Sequence, residues 1–351
     1  MSTDDRVRAI IDLHFHPDFG SQYWLARQAE LGLNARERIR TVEDLSALEA
    51  TPLDDLRKFP VRDFIPQTFR KQLHRFILGE TAGTSGLPRA TAYRDDEFQA
   101  AFVAPFLEVA RATGFPENRS WLWIGPSGPH IIGKAVRELA RQMGSIDPFS
   151  VDFDARWVKK LAENSIGLHR YVDHVVSQAL DVINREEIGV LFTTPPTLAH
   201  LSQRMTDKQR ESIRGVHYGG LRISAEQLND FREEFPNAVH LSGYGNTLFG
   251  VVMEVEDGPR QALDYYPHSD RIVFELVEVD SGASIGKPSQ VGRVCFHRLD
   301  ESCLLVGVTE RDEAEWVAPS PPAIALGWKR YGLRDPHPPA KSQSKLRVGL
   351  Y

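Results

Sequence analysis

The chain is short of several things, and each shortage excludes a class of protein. It has two cysteines, Cys295 and Cys303, in 351 residues. Two thiols cannot build a disulfide framework, and they suit a reducing compartment. No apolar run is long enough for a signal peptide or a membrane span, and the start, Met1-Ser2-Thr3-Asp4-Asp5, is acidic. The expected location is therefore cytoplasmic, with no membrane partner. Charge of one sign is not in large excess: 42 Lys and Arg stand against 48 Asp and Glu, a formal net charge of −6. That leaves no electrostatic footprint for nucleic acid. No Gly-Lys-Ser/Thr closes a glycine loop, so there is no Walker motif, and no dinucleotide-type glycine spacing occurs. An internal repeat is also missing.

What remains is ordinary globular composition, 41% hydrophobic and 26% charged, which argues against disorder and against a fibre. The length suits one large domain or two to three subdomains. One stretch stands out: Gly79-Glu80-Thr81-Ala82-Gly83-Thr84-Ser85-Gly86-Leu87-Pro88-Arg89. With few Cβ atoms in the way, its amides and hydroxyls can converge on one anion. A flexible surface turn is the plainer reading of the same residues.

Residues 1–75 read as an amphipathic helical part, with Val7, Ile10, Ile11 and Leu13 at helical spacing and a helix start at Thr41-Val42-Glu43-Asp44. His14 and His16 form His-x-His without evident partners, which favours packed or surface histidines over a metal. From 76 to 250 short apolar strands alternate with helical patterns. Strands are predicted at 121–124, 188–192, 215–218 and 238–241, and helices at 95–113, 132–143, 171–185 and after Pro195-Pro196. Ser224-Ala225-Glu226-Gln227 is a capping box for another helix. This is an α/β class with a largely parallel sheet, whose ligands bind where loops leave the carboxyl ends of strands. The loops at 125–129, 193–196, 219–223 and 242–248 are then the expected walls of one site. Residues 251–335 change to a smaller β-rich subdomain, with runs at 271–279, 291–299 and 303–308. Residues 336–351 read as a proline-rich tail.

Four motifs appear in order: Thr81-Ala82-Gly83-Thr84-Ser85-Gly86-Leu87-Pro88, Tyr218-Gly219-Gly220-Leu221-Arg222, Ser242-Gly243-Tyr244-Gly245-Asn246-Thr247, and Val308-Thr309-Glu310-Arg311-Asp312 followed by Gly332-Leu333-Arg334-Asp335. In this order they resemble the adenylate-forming superfamily of acyl-CoA synthetases, adenylation domains and luciferases, most of all its phenylacetate-CoA ligase-like branch. The resemblance implies that architecture: helix-flanked sheets plus the β-rich subdomain. It implies a ligase that uses ATP and Mg²⁺ to convert a carboxylic acid into its acyl-adenylate and pyrophosphate. Thr81, Gly83, Thr84, Ser85 and Gly86 would then hold the leaving phosphates, as loop amides and hydroxyls can. Gly219 and Gly220 would form a shelf beside adenine. Tyr244 would stack on the ring, with Gly245 and Asn246 continuing the wall. Thr247 would donate to the α-phosphate, Asp312 would accept the ribose hydroxyls, and Arg334 would reach the α-phosphate or ribose.

The departures from the family pattern are specific. Leu87 stands where a lysine is usual, with Arg89 as a substitute charge. Leu248 stands where the family's magnesium-binding glutamate is expected, and an apolar side chain cannot ligate a hard cation. No protein ligand to a metal is assigned. Leu221-Arg222 replaces an acidic-proline pair. The family's mobile C-terminal domain, with its catalytic lysine, is expected to be absent here, so a partner protein or an open site with a small acceptor would take its place.

Other residues carry weaker signals. Cys295, His297 and Cys303, with His240, could compose a zinc site; strand alternation makes a buried thiol and a packed histidine the commoner outcome. His130 follows a strand and is a candidate contact or base for the acyl substrate, with Thr193, Thr194 and Gly243 nearby by loop placement. Trp121 and Trp123 read as core. The expectation is a biosynthetic enzyme activating a small, aromatic carboxylic acid and passing it to an amine or other small nucleophile. Thioester formation with CoA is the alternative, and so is a degenerate AMP- or acyl-adenylate-binding protein.

Overall fold

The computed structural model describes residues 2–339 except 82, 84–86, 163–164, 257, 280 and 287–289. The chain begins with two helices, Thr3–His14 and Gln22–Leu31. Ser2 and Asp5 cap the first reciprocally, and Val7, Ile10 and Ile11 bury its apolar face. His14 is also buried, bonded to Ser21 and the Asp300 carbonyl, while His16 stacks on Phe19. The helical turn Glu43–Leu48 forms where expected, but its cap differs. Asp44, not Thr41, does the capping: its carboxylate accepts the Arg40 and Thr41 N–H groups at 2.9 Å each.

β1 (Phe76–Glu80) and β2 (Ala90–Arg94) form an antiparallel hairpin. The helix that follows, Asp95–Thr113, carries a π turn at Gln99–Val103. The main sheet contains β3 (Ser120–Gly125), β4 (Phe149–Asp152), β5 (Ile188–Thr193), β6 (Gly215–Tyr218), β7 (Val239–Asn246) and β8 (Gly250–Met253). Its order is β4-β3-β5-β6-β7-β8, parallel except for β8. Helices Ile131–Gln142, Ile166–Arg185, Pro195–Ser202 and Ala225–Glu234 lie between the strands in sequence. Trp121 and Trp123 are core residues of β3. Because β4 and β5 flank β3 on opposite sides, the chain reverses its winding there. The loops after β3 and β5 thus leave a topological switch point.

Two elements differ from expectation. β4 was not anticipated: of its four residues only Val151 is fully buried, so its apolar signal is faint. The predicted loop at 242–248 is mostly strand. β7 runs on to Asn246 and turns back into β8. Gly245 permits that turn, since a Cβ there would lie 2.1 Å from the Gly250 carbonyl oxygen. Gly250, at φ +106°, in turn lets β8 approach the π turn at Ala101. These glycines mark close backbone approach rather than a loop.

The last part is an antiparallel five-stranded sheet, ordered β10-β11-β12-β13-β9. Its strands are β9 (Asp264–Tyr265), β10 (Ile272–Val277), β11 (Val291–Leu299), β12 (Leu304–Val317) and β13 (Gly332–His337). β12 continues well past the predicted 308, and β13 enters the predicted tail as far as His337. Residues 340–351 lie outside the described residues. Among the described residues, no helix is long and apolar enough to cross a membrane.

Candidate nucleotide site

The β1–β2 tip is closed at its base by two bonds. The Thr81 N–H donates to the Arg89 carbonyl at 2.9 Å, and the Arg89 N–H donates to the Thr81 hydroxyl at 3.0 Å. Gly83 has φ +67°, a conformation that favours glycine. Thr84, Ser85 and Gly86 lie outside the described residues. The hairpin is fixed onto the loop after β3 and the helix that follows it: the Glu80 N–H donates to the Pro129 carbonyl at 2.9 Å, and Lys134 Nζ to the Leu78 carbonyl at 2.7 Å. His130, next to Pro129, occupies the N-cap position of the helix that follows without a side-chain capping bond, and so stands beside the hairpin. Leu87 is 74% exposed. Arg89 turns its Nε to the Leu53 carbonyl at 3.2 Å and feels the charge of Glu310.

The end of β7 meets β12. Tyr244 donates its hydroxyl to Asp312 Oδ2 at 3.2 Å, and Asn246 Nδ2 donates to Glu310 Oε1 at 2.6 Å. The other side of the Asn246 amide accepts the Leu248 and Phe249 N–H groups, which locks the β7–β8 turn. Thr247 Oγ1 reaches the Glu80 carbonyl at 3.5 Å, and the Thr247 carbonyl accepts the Tyr93 hydroxyl at 3.0 Å. So Thr247, at the end of the tyrosine motif, touches the hairpin, while Tyr244 and Asn246 touch the aspartate motif. The glycine shelf lies alongside. The Gly219 N–H donates to the Thr193 carbonyl at 3.3 Å, a Cβ on Gly219 would sit 3.0 Å from the Phe192 ring, and Gly220 takes φ +81°. Arg222, at the end of that shelf, pulls electrostatically on Asp312.

The electrostatics of this junction are unusual. Glu310 and Asp312 are two apart on one strand, so both carboxyls face the same side. Burial and the Asp312 charge push Glu310 up to about 7. Burial raises Asp312 as well, against the pull of the Tyr244 hydroxyl, Arg311, His337 and Arg222. The Tyr244 phenol is raised strongly by burial and by both acids, so it remains a donor. Burial, with help from Arg156, lowers His130, which favours its neutral imidazole.

Several expected residues are engaged elsewhere. Arg334 forks onto Asp264 at 2.8 Å through both of its contacts, on the β9 side of its strand. Leu248 is 2% exposed and belongs to the main hydrophobic core. A glutamate at that position would be buried, so this backbone does not offer the position as a magnesium ligand. The Thr193 hydroxyl is spent on the Ile124 carbonyl, and Thr194 caps the next helix. Gly243 is accounted for by packing, since its Cβ would meet Val251 and Met253. The zinc alternative is not supported by the contacts. His297 bonds Glu275 and the Gly307 N–H, Cys303 lies beside Thr91, and His240 bonds the Tyr218 hydroxyl. Among the described residues no three potential ligands cluster.

Sequence reasoning missed Glu310, although it stands inside a quoted motif. Strand alternation from Asp312 would have found it. It also missed His337 and Arg156, the latter because β4 and the turn after it went unrecognised.

No protein-family model matches the chain, and no curated protein does. Solved structures do. An open conformation of 2-hydroxyisobutyryl-CoA ligase, in complex with 2-HIB-AMP and CoA, aligns with a TM-score of 0.69 at 12% identity, over 94% of this chain and 72% of that one. The same enzyme in its thioesterification state aligns with a TM-score of 0.70 at 13% identity, over 95% of this chain and 66% of that one. This chain thus spans about two thirds of the length of the structures it matches. At such identity the likeness is one of fold: the chain has the α/β architecture of an adenylate-forming enzyme.

Proposed function

We propose that the protein activates a small carboxylic acid, aromatic by its phenylacetate-CoA ligase-like resemblance, as an acyl-adenylate, using ATP. One observation carries this reading: the hydrogen-bonded junction of Tyr244, Asn246, Glu310 and Asp312, which Thr247 joins to the β1–β2 hairpin. A carboxylate oxygen of the acid attacks the α-phosphorus, the bond to the β-phosphate bridging oxygen breaks, and pyrophosphate leaves with that electron pair. Asp312 accepts the ribose hydroxyls in this scheme, and Tyr244, Gly219 and Gly220 enclose the adenine. Thr247 donates to the α-phosphate, and the hairpin amides and hydroxyls hold the departing phosphates. His130 stands beside the acyl group. Arg334 joins only if it leaves Asp264.

In the second step a nucleophile attacks the acyl carbon and AMP departs. We assign this nucleophile to a small amine or similar acceptor. The matched ligase is described with both 2-HIB-AMP and CoA, which keeps thioester formation as the alternative acceptor chemistry. A biosynthetic, cytoplasmic role fits this chemistry. No step is routed through Mg²⁺, because the buried Leu248 does not fit it. That same residue favours a second reading, a protein that binds AMP or acyl-adenylate with little turnover.

The test is exchange of labelled pyrophosphate into ATP across a panel of aromatic and aliphatic acids. Exchange dependent on at least one acid is expected. AMP binding without exchange for any acid would leave the binding protein. CoA consumption matching AMP release would replace the amine acceptor by the thioester.

A further inference from the structure

Three successive carbonyls of the β7–β8 turn meet donors from three different parts of the chain. The Thr247 carbonyl accepts the Tyr93 hydroxyl at 3.0 Å, from β2. The Leu248 carbonyl accepts Arg298 Nη1 at 3.3 Å, from β11, and the Phe249 carbonyl accepts Arg271 Nη1 at 2.5 Å, from just before β10. All three donors are buried. They also hold one another: the Arg298 guanidinium lies over the Tyr93 ring, and Asp300 binds both arginines. From the other side the Asn246 amide oxygen takes the Leu248 and Phe249 N–H groups. Leu248 and Phe249 pack in the core, whereas the Thr247 side chain reaches the hairpin.

Both strands of that hairpin grip Thr247. Its hydroxyl donates to the Glu80 carbonyl, on β1, at 3.5 Å, and its carbonyl accepts Tyr93, which pairs with Ile77 across the hairpin. The two bonds are not equivalent. The first is long, and the hydroxyl has a single proton, so donation to a phosphate oxygen requires that it leave Glu80. The second does not involve the Thr247 side chain and persists while that side chain turns. Burial raises Tyr93 to about 12, so the phenol keeps its proton and stays a donor near neutral pH.

We propose that Tyr93 is a positioning residue: its bond fixes the Thr247 backbone so that the released hydroxyl meets the α-phosphate. This rests on the nucleotide reading above. A bond that served only to hold the core together would cost stability on removal without singling out ligands that carry an α-phosphate. A positioning bond acts through Thr247, and only on such ligands.

The experiment is a double-mutant cycle of Tyr93→Phe and Thr247→Ala in the full chain, read by calorimetric titration with AMP and with adenosine. Tyr93→Phe keeps the ring beside Arg298 and removes the hydroxyl alone. It is expected to lose about three- to fivefold in affinity for AMP and under about twofold for adenosine, and Thr247→Ala about tenfold for AMP. In the Thr247→Ala background the Tyr93 substitution should cost no further AMP affinity, since its route is already removed. Thr247→Ser, which keeps a hydroxyl, should restore the sensitivity to Tyr93→Phe. Undiminished AMP affinity in either single variant, equal losses for AMP and adenosine, or AMP losses that add in the double variant overturn the positioning role. Acid-dependent pyrophosphate exchange is measured on the same proteins. A wild type that binds AMP without exchange, with the cycle coupled as expected, upholds the role of Tyr93 and overturns the activation reading. A wild type that binds neither AMP nor adenosine overturns both.

Discussion

Asp300 and Asp312 are carboxylates of the β11–β12 region, the first fully buried and the second half-buried, yet loss of water has opposite outcomes for them. Asp300 takes two bonds from Arg271, at 3.0 and 2.5 Å, and one from Arg298 at 2.6 Å. Its pKa is held below the usual value although burial alone would raise it. Asp312 and its neighbour Glu310 are met by a phenol and an amide, and both are raised. Burial sets the size of the electrostatic cost, and the partners decide whether it is offset. The offset cluster joins parts of the fold. Arg298 also donates to Thr91, the Ala92 carbonyl and Ser302, and lies 3.6 Å over the Tyr93 ring. The Asp300 carbonyl meanwhile binds His14 of the first helix. The other cluster, less fully offset, lies where a ligand with ribose hydroxyls is proposed to sit, as perturbed groups at functional sites often do.

The largest effect should come from breaking the offset cluster. Arg298→Ala leaves Asp300 with one of its two closest guanidinium partners and removes the cation–π contact with Tyr93. A stability loss of about 3–5 kcal/mol is expected from urea unfolding. A loss under about 1 kcal/mol would mean that Arg271 suffices and that the two clusters differ less than their contacts suggest. Asp312→Ala is the counterpart. Stability should change by no more than about 1 kcal/mol, because a raised carboxyl and one phenol contact are removed together. Nucleotide affinity should fall about tenfold to a hundredfold, the range for hydrogen bonds to a charged group. Titration with AMP checks this, and unchanged affinity would remove Asp312 from the site.

The same contrast marks what was legible in the sequence. The buried parallel strands announce themselves as apolar runs, such as Trp121-Leu122-Trp123-Ile124, and were placed closely. The resemblance carried by motif order gave the architecture, while the bond between Tyr244 and Asp312 appears only in the fold. Contacts that depend on which way a long side chain swings were not legible. Arg334 turns to Asp264, and no spacing rule assigns that fork. Leu248 reads in sequence as a lost metal ligand and in the structure as a core residue. Gly245 reads as part of an adenine wall, while its nearest constraint is the Gly250 carbonyl. Local pattern encodes burial, but partner choice among distant polar groups is settled only when strands pair.

The smallest effect, and the sharpest on the comparison, is a slope. Glu310 rises from its ordinary 4.5 to about 7 in the folded protein. Between those values the folded state holds a proton that the unfolded state has released. Stability from this group is therefore fully present below about pH 4.5 and is lost as pH rises through about 7. Glu310→Gln keeps an amide of similar shape and cannot ionise. The variant should gain relative to wild type across that window, on the order of 1 kcal/mol at pH 8 because the site is partly open to solvent. Glu254, also pushed up to about 7, titrates in the same range, so the readout is the difference between variant and wild type. Urea midpoints at pH 5 and pH 8 measure it. A difference that stays constant between the two pH values would mean that Glu310 is ionised throughout, and that a cation offsets it as Arg271 and Arg298 offset Asp300.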